Sequence, residues 1–246
     1  MGAVNPIIMI PARLAAMRLP NKPLADIGGV PMIVRVLRQA QAANAGPVVV
    51  AAGDPEIVAA VEAAGGRAVL TDPALASGSD RIMAALEEID PHGDHDLIVN
   101  VQGDMPFIDP AHIRTLVDRF DEQPGLQMAT LVAAEASPAD RTNPDVVKAV
   151  LSLARGADFG RALYFTRSTL YGDGPVWRHI GLYAYTRQTL EGFVVAPQTP
   201  LEKREKLEQL RAMELGVEIW AVIVDTAPIS VDSPADLEAA RKEAAK

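Results

Sequence analysis

Through its first 135 residues the chain alternates short, largely apolar runs with longer amphipathic stretches. The runs at 6–10, 47–51, 67–70, 96–101 and 128–133 have the length of strands. A strand that is apolar on both faces belongs in a parallel sheet covered on both sides. The stretches at 31–43, 55–64, 79–89 and 110–121 read as helices. Asp54-Pro55 and Asp109-Pro110 supply N-cap and first-turn signals, Pro31 suits another first turn, and Gly65-Gly66 stops the second helix. The rhythm predicts an α/β fold: a Rossmann-like, mostly parallel mixed sheet with helices on both faces. Such a sheet takes its ligand beyond the carboxyl ends of its strands.

Beyond about residue 140 the rhythm changes. Residues 146–153, 162–166, 179–185 and 217–224 read as strands, and 171–175 as a turn-rich loop. A helix is predicted over 201–215, closed by Gly216, and another over 234–244. With no linker or repeat, the 246 residues are expected to form a single domain. Within it, about 1–135 would be a nucleotide-binding core, 136–215 a smaller subregion, and 216–246 a return to the core.

Composition removes several function classes. There is no cysteine, so disulfides, thiolate nucleophiles and cysteine–zinc sites are excluded. The net charge of −9 argues against nucleic acid or an anionic membrane as partner. No basic region precedes the first apolar run, and no apolar stretch reaches about 18 residues. A cytoplasmic location, with neither signal peptide nor membrane span, is the expectation.

Four segments can carry chemistry. Pro11-Ala12-Arg13 opens the loop after the first strand, and Arg18 and Lys22 follow in it. Three cations at a strand's carboxyl end can hold a triphosphate, although a solvated basic loop fits the same residues. There is no Walker A sequence and no G-x-G-x-x-G, which disfavours P-loop and dinucleotide chemistry. The strand at 96–101 runs straight into Gln102-Gly103-Asp104, placing Asp104 where a magnesium ion could take one carboxylate beside phosphate oxygens. Asp232 precedes Ser233-Pro234 at a helix start, where either Asp232 or Ser233 could simply be the cap. Ser77-Gly78-Ser79-Asp80-Arg81 offers small residues for close backbone approach, or an ordinary helix start. His92, His95 and His112 read as surface or structural, whereas His179 opens an apolar strand and faces either solvent or a pocket.

Taken in order, residues 10–13, 18–24, 77–81, 100–104, 178–183, 207–211 and 231–237 resemble the 3-deoxy-D-manno-octulosonate (Kdo) cytidylyltransferase family. The resemblance spans nearly the whole chain and implies the nucleotide-diphospho-sugar transferase type of fold. It implies transfer of CMP from CTP to Kdo, with release of pyrophosphate, for lipopolysaccharide biosynthesis, and a homodimer formed through 136–215. It also implies roles for particular residues. Pro11, Ala12, Arg13, Arg18, Lys22, Ser77, Gly78 and Arg81 would meet the nucleotide. Asp104 and Asp232 would hold Mg²⁺ and, with Arg13 and Lys22, form the catalytic set. Gln102, Arg167, His179, Tyr183, Glu208 and Gln209 would line the sugar pocket.

Three departures from the family pattern stand out. Met105 replaces an acidic residue next to Asp104, Leu14-Ala15-Ala16-Met17 lacks hydroxyl side chains, and the loop at 171–176 is short. Other readings use the same residues: an 8-amino Kdo analogue or a sialic acid as acceptor, or nucleotide-sugar binding without turnover. The carboxylate pair favours an enzyme over a binding protein.

Overall fold

The computed structural model describes residues 4–15, 19–135 and 137–246. Pro6–Ala12 forms β1 and Val48–Ala52 forms β4, with Arg67–Leu70 as β5 and Leu97–Asn100 as β6. Between them a small antiparallel hairpin joins β2 (Asp26–Ile27) to β3 (Val30–Pro31). β1 runs parallel to β4 on one side and to β6 on the other, and β4 runs parallel to β5. The remaining strands are β7 (Met128–Ala134), β8 (Lys148–Ser152), β9 (Phe159–Thr166), β10 (Trp177–Thr186) and β11 (Ile219–Val224). All nine long strands form one sheet in the order β5-β4-β1-β6-β10-β7-β11-β9-β8.

The sheet is mixed, as expected, because β10 is antiparallel to both neighbours, β6 and β7. Burial on both faces explains the continuous apolar runs of β1, β4 and β6. Ile8 and Ile10 point to one core and Ile7 and Met9 to the other, the alternation a pleated strand imposes. The first core is closed by α1 (Met32–Ala42), α2 (Pro55–Ala63) and α4 (Pro110–Glu122), through Ile33, Val36, Leu37, Ile57, Val61, Ile113, Leu116 and Phe120. The second is closed by α3 (Gly78–Ile89), by α5 (Arg187–Val195), absent from the sequence-based expectation, and by α7 (Gln209–Glu214). Met105 is 3% exposed and packs within the first core.

One expected helix is a correction. Residues 201–215 form two short helices, α6 (Pro200–Glu205) and α7, separated at Lys206, whose φ of 56° is left-handed. The reason is a buried pair: Arg211 Nε donates to Glu202 Oε2 at 2.8 Å and Arg211 Nη2 to Glu202 Oε1 at 2.6 Å. In a continuous helix, residues nine apart lie on opposite faces and cannot meet. The break turns α7 back so that the pair closes, and tertiary contact overrides a strongly helical sequence.

The last helix, α8 (Pro234–Ala244), returns to the nucleotide half. Its Leu237 and Ala240 pack with Val231, Ile27 and Met32, against the β2–β3 hairpin and the start of α1. This third, small core carries the segment before α8 across to the end of β6.

Candidate functional site

β1 and β6 part company at the cleft. Their ladder ends at the Met9–Asn100 pair, while β1 continues to pair with β4 as far as Ala12. Pro11 has no N–H to offer β6, so β1 itself strands no donor where the two strands diverge. A cleft of about 440 Å³ opens there, lined by Pro11, Ala12, Arg13, Lys22, Ser77, Gly78, Arg81, Gln102, Asp104 and Asp232 among others. It lies at the carboxyl ends of two adjacent strands whose connections run in opposite directions, the crevice in which open α/β sheets bind ligands. Arg18 and residues 16–17 lie outside the described residues.

Three cations come from three elements. Arg13 follows β1 and is exposed to the cleft. Lys22 begins a 3-10 turn at Lys22–Leu24, entered through Asn21 in the left-handed region. Arg81 lies on the first turns of α3 and is 2% exposed. Its Nη1 donates to Thr71 Oγ1 at 2.6 Å and to the Asp72 carbonyl at 3.1 Å, while Nη2 is buried with no partner. Burial, and then Arg13, lower the Arg81 pKa from its ordinary value. Gly53 leaves the space for this guanidinium: a Cβ there would sit 2.7 Å from Arg81 Nη1. Ser77 caps α3 through a capping box with Asp80, which sets the direction of its first turn toward the cleft.

Asp104 and Asp232, 128 positions apart, are brought together by backbone. Val231 N donates to the Asp104 carbonyl at 2.9 Å. Ser233, not Asp232, caps α8 by accepting from Asp236 N, so the Asp232 carboxylate turns to the cleft. Gly103 permits the close approach: a Cβ there would sit 3.1 Å from the Pro11 carbonyl. Lys22 Nζ lies between the two carboxylates, 3.0 Å from Asp104 Oδ2 and 3.2 Å from Asp232 Oδ1. Burial, with Asp232 adding to it, raises the Asp104 pKa against the opposing pull of Lys22. Burial would lower the Lys22 pKa, but the two carboxylates outweigh it and the net shift is upward. Two oxygens already arranged around one cation suit a divalent ion that completes its shell with phosphate and water.

Gln102 lines both this cleft and a narrower recess, the two lying on either side of it. The recess is also lined by Ser79, Asn100, Tyr183, Tyr185, Glu208 and Gln209. Gln102 Nε2 donates to Asn100 Oδ1 at 3.0 Å. Gln209 Nε2 is buried without a hydrogen-bond partner, while the Tyr185 hydroxyl is buried beside Asn100 and Ser79 and the Glu208 carboxylate beside Ser77 and Ser79. Buried polar groups are expensive to leave unpaired, so a set of donors and acceptors facing one recess suits a polyhydroxylated ligand. Burial raises the pKa values of Glu208 and of both tyrosines, with the Glu208 charge adding to the tyrosine shifts.

Arg167 and His179 line neither of these cavities. They stand beside the recess: the His179 ring is 5.4 Å from that of Tyr183 and meets Phe165 edge-on at 5.0 Å. His179 Nε2 is 3.1 Å from Thr130 Oγ1, and burial, aided by Arg167, pushes its pKa down to about 3. Arg167 Nη1 donates to the Pro144 carbonyl at 3.1 Å. Asn100 and Tyr185 were not anticipated from the sequence as lining residues, whereas Ser79 belongs to the 77–81 segment read there as a place of close approach. Tyr185 follows Tyr183 by two along β10, and that period-2 spacing was the available signal.

The cytidylyltransferase family profile matches residues 7–219. A 3-deoxy-manno-octulosonate cytidylyltransferase from Rhodospirillum centenum is 59% identical, the match covering 96% of this chain and 92% of that protein. One of the same name from Parvibaculum lavamentivorans is 56% identical, covering 99% of this chain and 94% of that one. The solved structure of a CMP:2-keto-3-deoxy-manno-octonic acid synthetase complexed with CTP superposes with a TM-score of 0.90, at 36% identity and with 98% of each chain covered. The 4-diphosphocytidyl-2C-methyl-D-erythritol synthase of Anaerococcus prevotii, 10% identical with a TM-score of 0.67 and full coverage of both chains, shares the fold. From β1 to α8, in sequence and in fold, the chain belongs to the 3-deoxy-manno-octulosonate cytidylyltransferase family.

Proposed function

We infer that the protein transfers CMP from CTP to the anomeric hydroxyl of Kdo, giving CMP-Kdo and pyrophosphate. One observation carries the reading: a cationic cleft with a carboxylate pair meets, across Gln102, a narrow recess lined by polar groups of Tyr183, Tyr185, Glu208 and Gln209. A triphosphate suits the first and a sugar acid the second, and the reacting atoms would meet at their junction.

The residue roles follow from charge and position. Arg13, Lys22 and Arg81, with Arg18, neutralise the triphosphate, and Ser77 and Gly78 approach it from the start of α3. Pro11 and Ala12 wall the nucleotide side. Tyr183, Glu208, Gln209 and Gln102 hold the sugar, with His179 and Arg167 flanking them. The anomeric oxygen forms its bond to the α-phosphorus as the bond to the pyrophosphate oxygen breaks, and the hydroxyl proton passes to water. The chain lowers the barrier by orienting the two substrates and by countering charge on the leaving group, without a covalent intermediate. Asp104 and Asp232 are the residues to hold Mg²⁺, which when bound would supply Lewis acidity at the phosphate and acidify the attacking hydroxyl.

A homodimer in the cytoplasm, serving lipopolysaccharide synthesis, completes the proposal. Exposed Leu163 and Tyr171 in the second half of the chain support the dimer. No helix among the described residues is long and apolar enough to cross a membrane.

The test is pyrophosphate release measured with CTP, Mg²⁺ and Kdo, omitting each in turn. Release that requires all three, and that falls at least about a hundredfold in Asp104→Ala, is expected. Release without Kdo, or full activity in Asp104→Ala, overturns the assignment.

A further inference from the structure

β8 opens on Lys148, whose side chain is fully buried. An ammonium is expensive to bury unless its protons find acceptors. Lys148 Nζ donates to the carbonyls of Asn143 at 2.7 Å, Val146 at 2.9 Å and Arg167 at 2.8 Å. A lysine has three N–H donors, and here all three go to main chain. What Lys148 fixes is therefore backbone geometry: that of the 143–146 turn, and that of the residue just after β9.

Both ends of this arrangement bear on Arg167. The β8–β9 ladder stops at the Lys148–Thr166 pair, so Arg167 is the first residue beyond the sheet. Its main chain is held instead by two side chains of opposite charge. Lys148 takes the carbonyl, and Glu205 Oε2, at the end of α6, accepts from the Arg167 N–H at 3.4 Å and from Thr166 Oγ1 at 3.1 Å. The guanidinium depends on the same ammonium at one remove. Arg167 Nη1 rests on the Pro144 carbonyl at 3.1 Å, and Pro144 lies between the two turn residues that Lys148 holds. Val147, next to Lys148, accepts from His179 N at 2.9 Å, so the entry to β8 seats both residues that flank the recess. A guanidinium is a rigid planar fork matched to a carboxylate, and its hold on one depends on aim.

We propose that Lys148 and Glu205 are positioning residues for the sugar half of the reaction: they grip the Arg167 main chain from opposite ends and so aim its guanidinium at the carboxylate of the sugar acid. Neither lines the cleft or the recess, so each acts through Arg167. The inference rests on the reading that Arg167 flanks the sugar.

The experiment is a double-variant cycle in steady-state kinetics with CTP, Mg²⁺ and Kdo. Lys148→Met, Arg167→Met and the two combined are compared with wild type, with a thermal melt of each to establish folding. Lys148→Met should raise KM for Kdo about tenfold and leave KM for CTP within about twofold, the signature of a misaimed contact to one substrate. The combined variant should be no worse for Kdo than Arg167→Met alone, because residues that act through one another are not additive. Effects on KM for Kdo that multiply, or equal rises for both substrates in Lys148→Met, overturn the proposal. Should Lys148→Met fail to fold, Glu205→Ala loosens the same main chain from its N–H side and takes its place in the cycle, with the same outcomes expected. Arg167→Met with an unchanged KM for Kdo refutes the reading of Arg167 and the proposal with it. If Arg167→Met raises that KM and folded Lys148→Met does not, the positioning role alone falls.

Discussion

Arg211→Met would strip the positive charge from a pair that is 5% exposed at both residues. Glu202 would be left ionised in the interior, with the Thr199 N–H at 3.2 Å and Gln198 Nε2 at 3.4 Å as its remaining partners. Removing one member of a buried ion pair costs about 3–5 kcal/mol, because the survivor keeps its desolvation penalty. Arg211 Nη1 also donates to the Ala196 carbonyl at 3.3 Å, and its guanidinium lies 4.6 Å from the Phe193 ring centre. The upper part of that range is therefore expected. For a chain of this size, about 4–5 kcal/mol lowers the melting temperature by roughly 8–20 °C. The double variant Glu202→Leu/Arg211→Met should recover most of the loss, since neither charge is then stranded. The pair also fixes α7, which carries Gln209 and follows Glu208, so Arg211→Met should raise KM for the sugar more than KM for CTP. Differential scanning calorimetry and a two-substrate kinetic matrix read both effects. A melting shift under about 2 °C, or a double variant no better than the single one, would refute the reasoning. The pH dependence gives a second check. Burial acts to raise the Glu202 pKa, but its hydrogen bonds to Arg211 and Thr199 win and the net shift is downward. A lowered carboxylate pKa contributes stability above the ordinary glutamate value of about 4.3, and that contribution disappears as pH falls through the folded value. Glu202→Gln should lack this acid-side loss.

Two further outcomes follow from the same structure. Gly53→Ala places a Cβ 2.7 Å from Arg81 Nη1 and 3.1 Å from Arg13 Cβ, so it should raise KM for CTP roughly tenfold to a hundredfold, while Gly192→Ala, with no atom within 4 Å, should leave it unchanged. His179 is held neutral, with its pKa down at about 3. The unfolded chain therefore binds a proton that the folded one rejects, and stability should rise with pH from about 3 to 6.5. Urea denaturation of His179→Gln across that interval should show a shallower slope, and an unchanged slope would contradict the assignment.

Much of this protein was legible one residue at a time. Periodicity identified the strands β1, β4, β5, β6 and β7 and the helices between them, because buried parallel strands and amphipathic helices leave unmistakable local patterns. Chain order also placed the loop after β1 and the Gln102–Asp104 turn at the carboxyl ends of adjacent strands, since parallel topology puts them there. Other features depended on residues far apart in the chain. The antiparallel seat of β10, between two strands that precede it, is a matter of pairing partners and not of local pattern. The break at Lys206 runs against helix propensity and is set by the Glu202–Arg211 pair. Whether Asp232 or Ser233 caps α8 is decided by the hairpin and α1 contacts that seat Val231 beside Asp104. Local sequence determined which elements form and where a ligand crevice opens, because those follow from hydrophobic period and connectivity. Tertiary structure alone decided that one ammonium sits between two carboxylates 128 residues apart, because only packing brings them within hydrogen-bond reach.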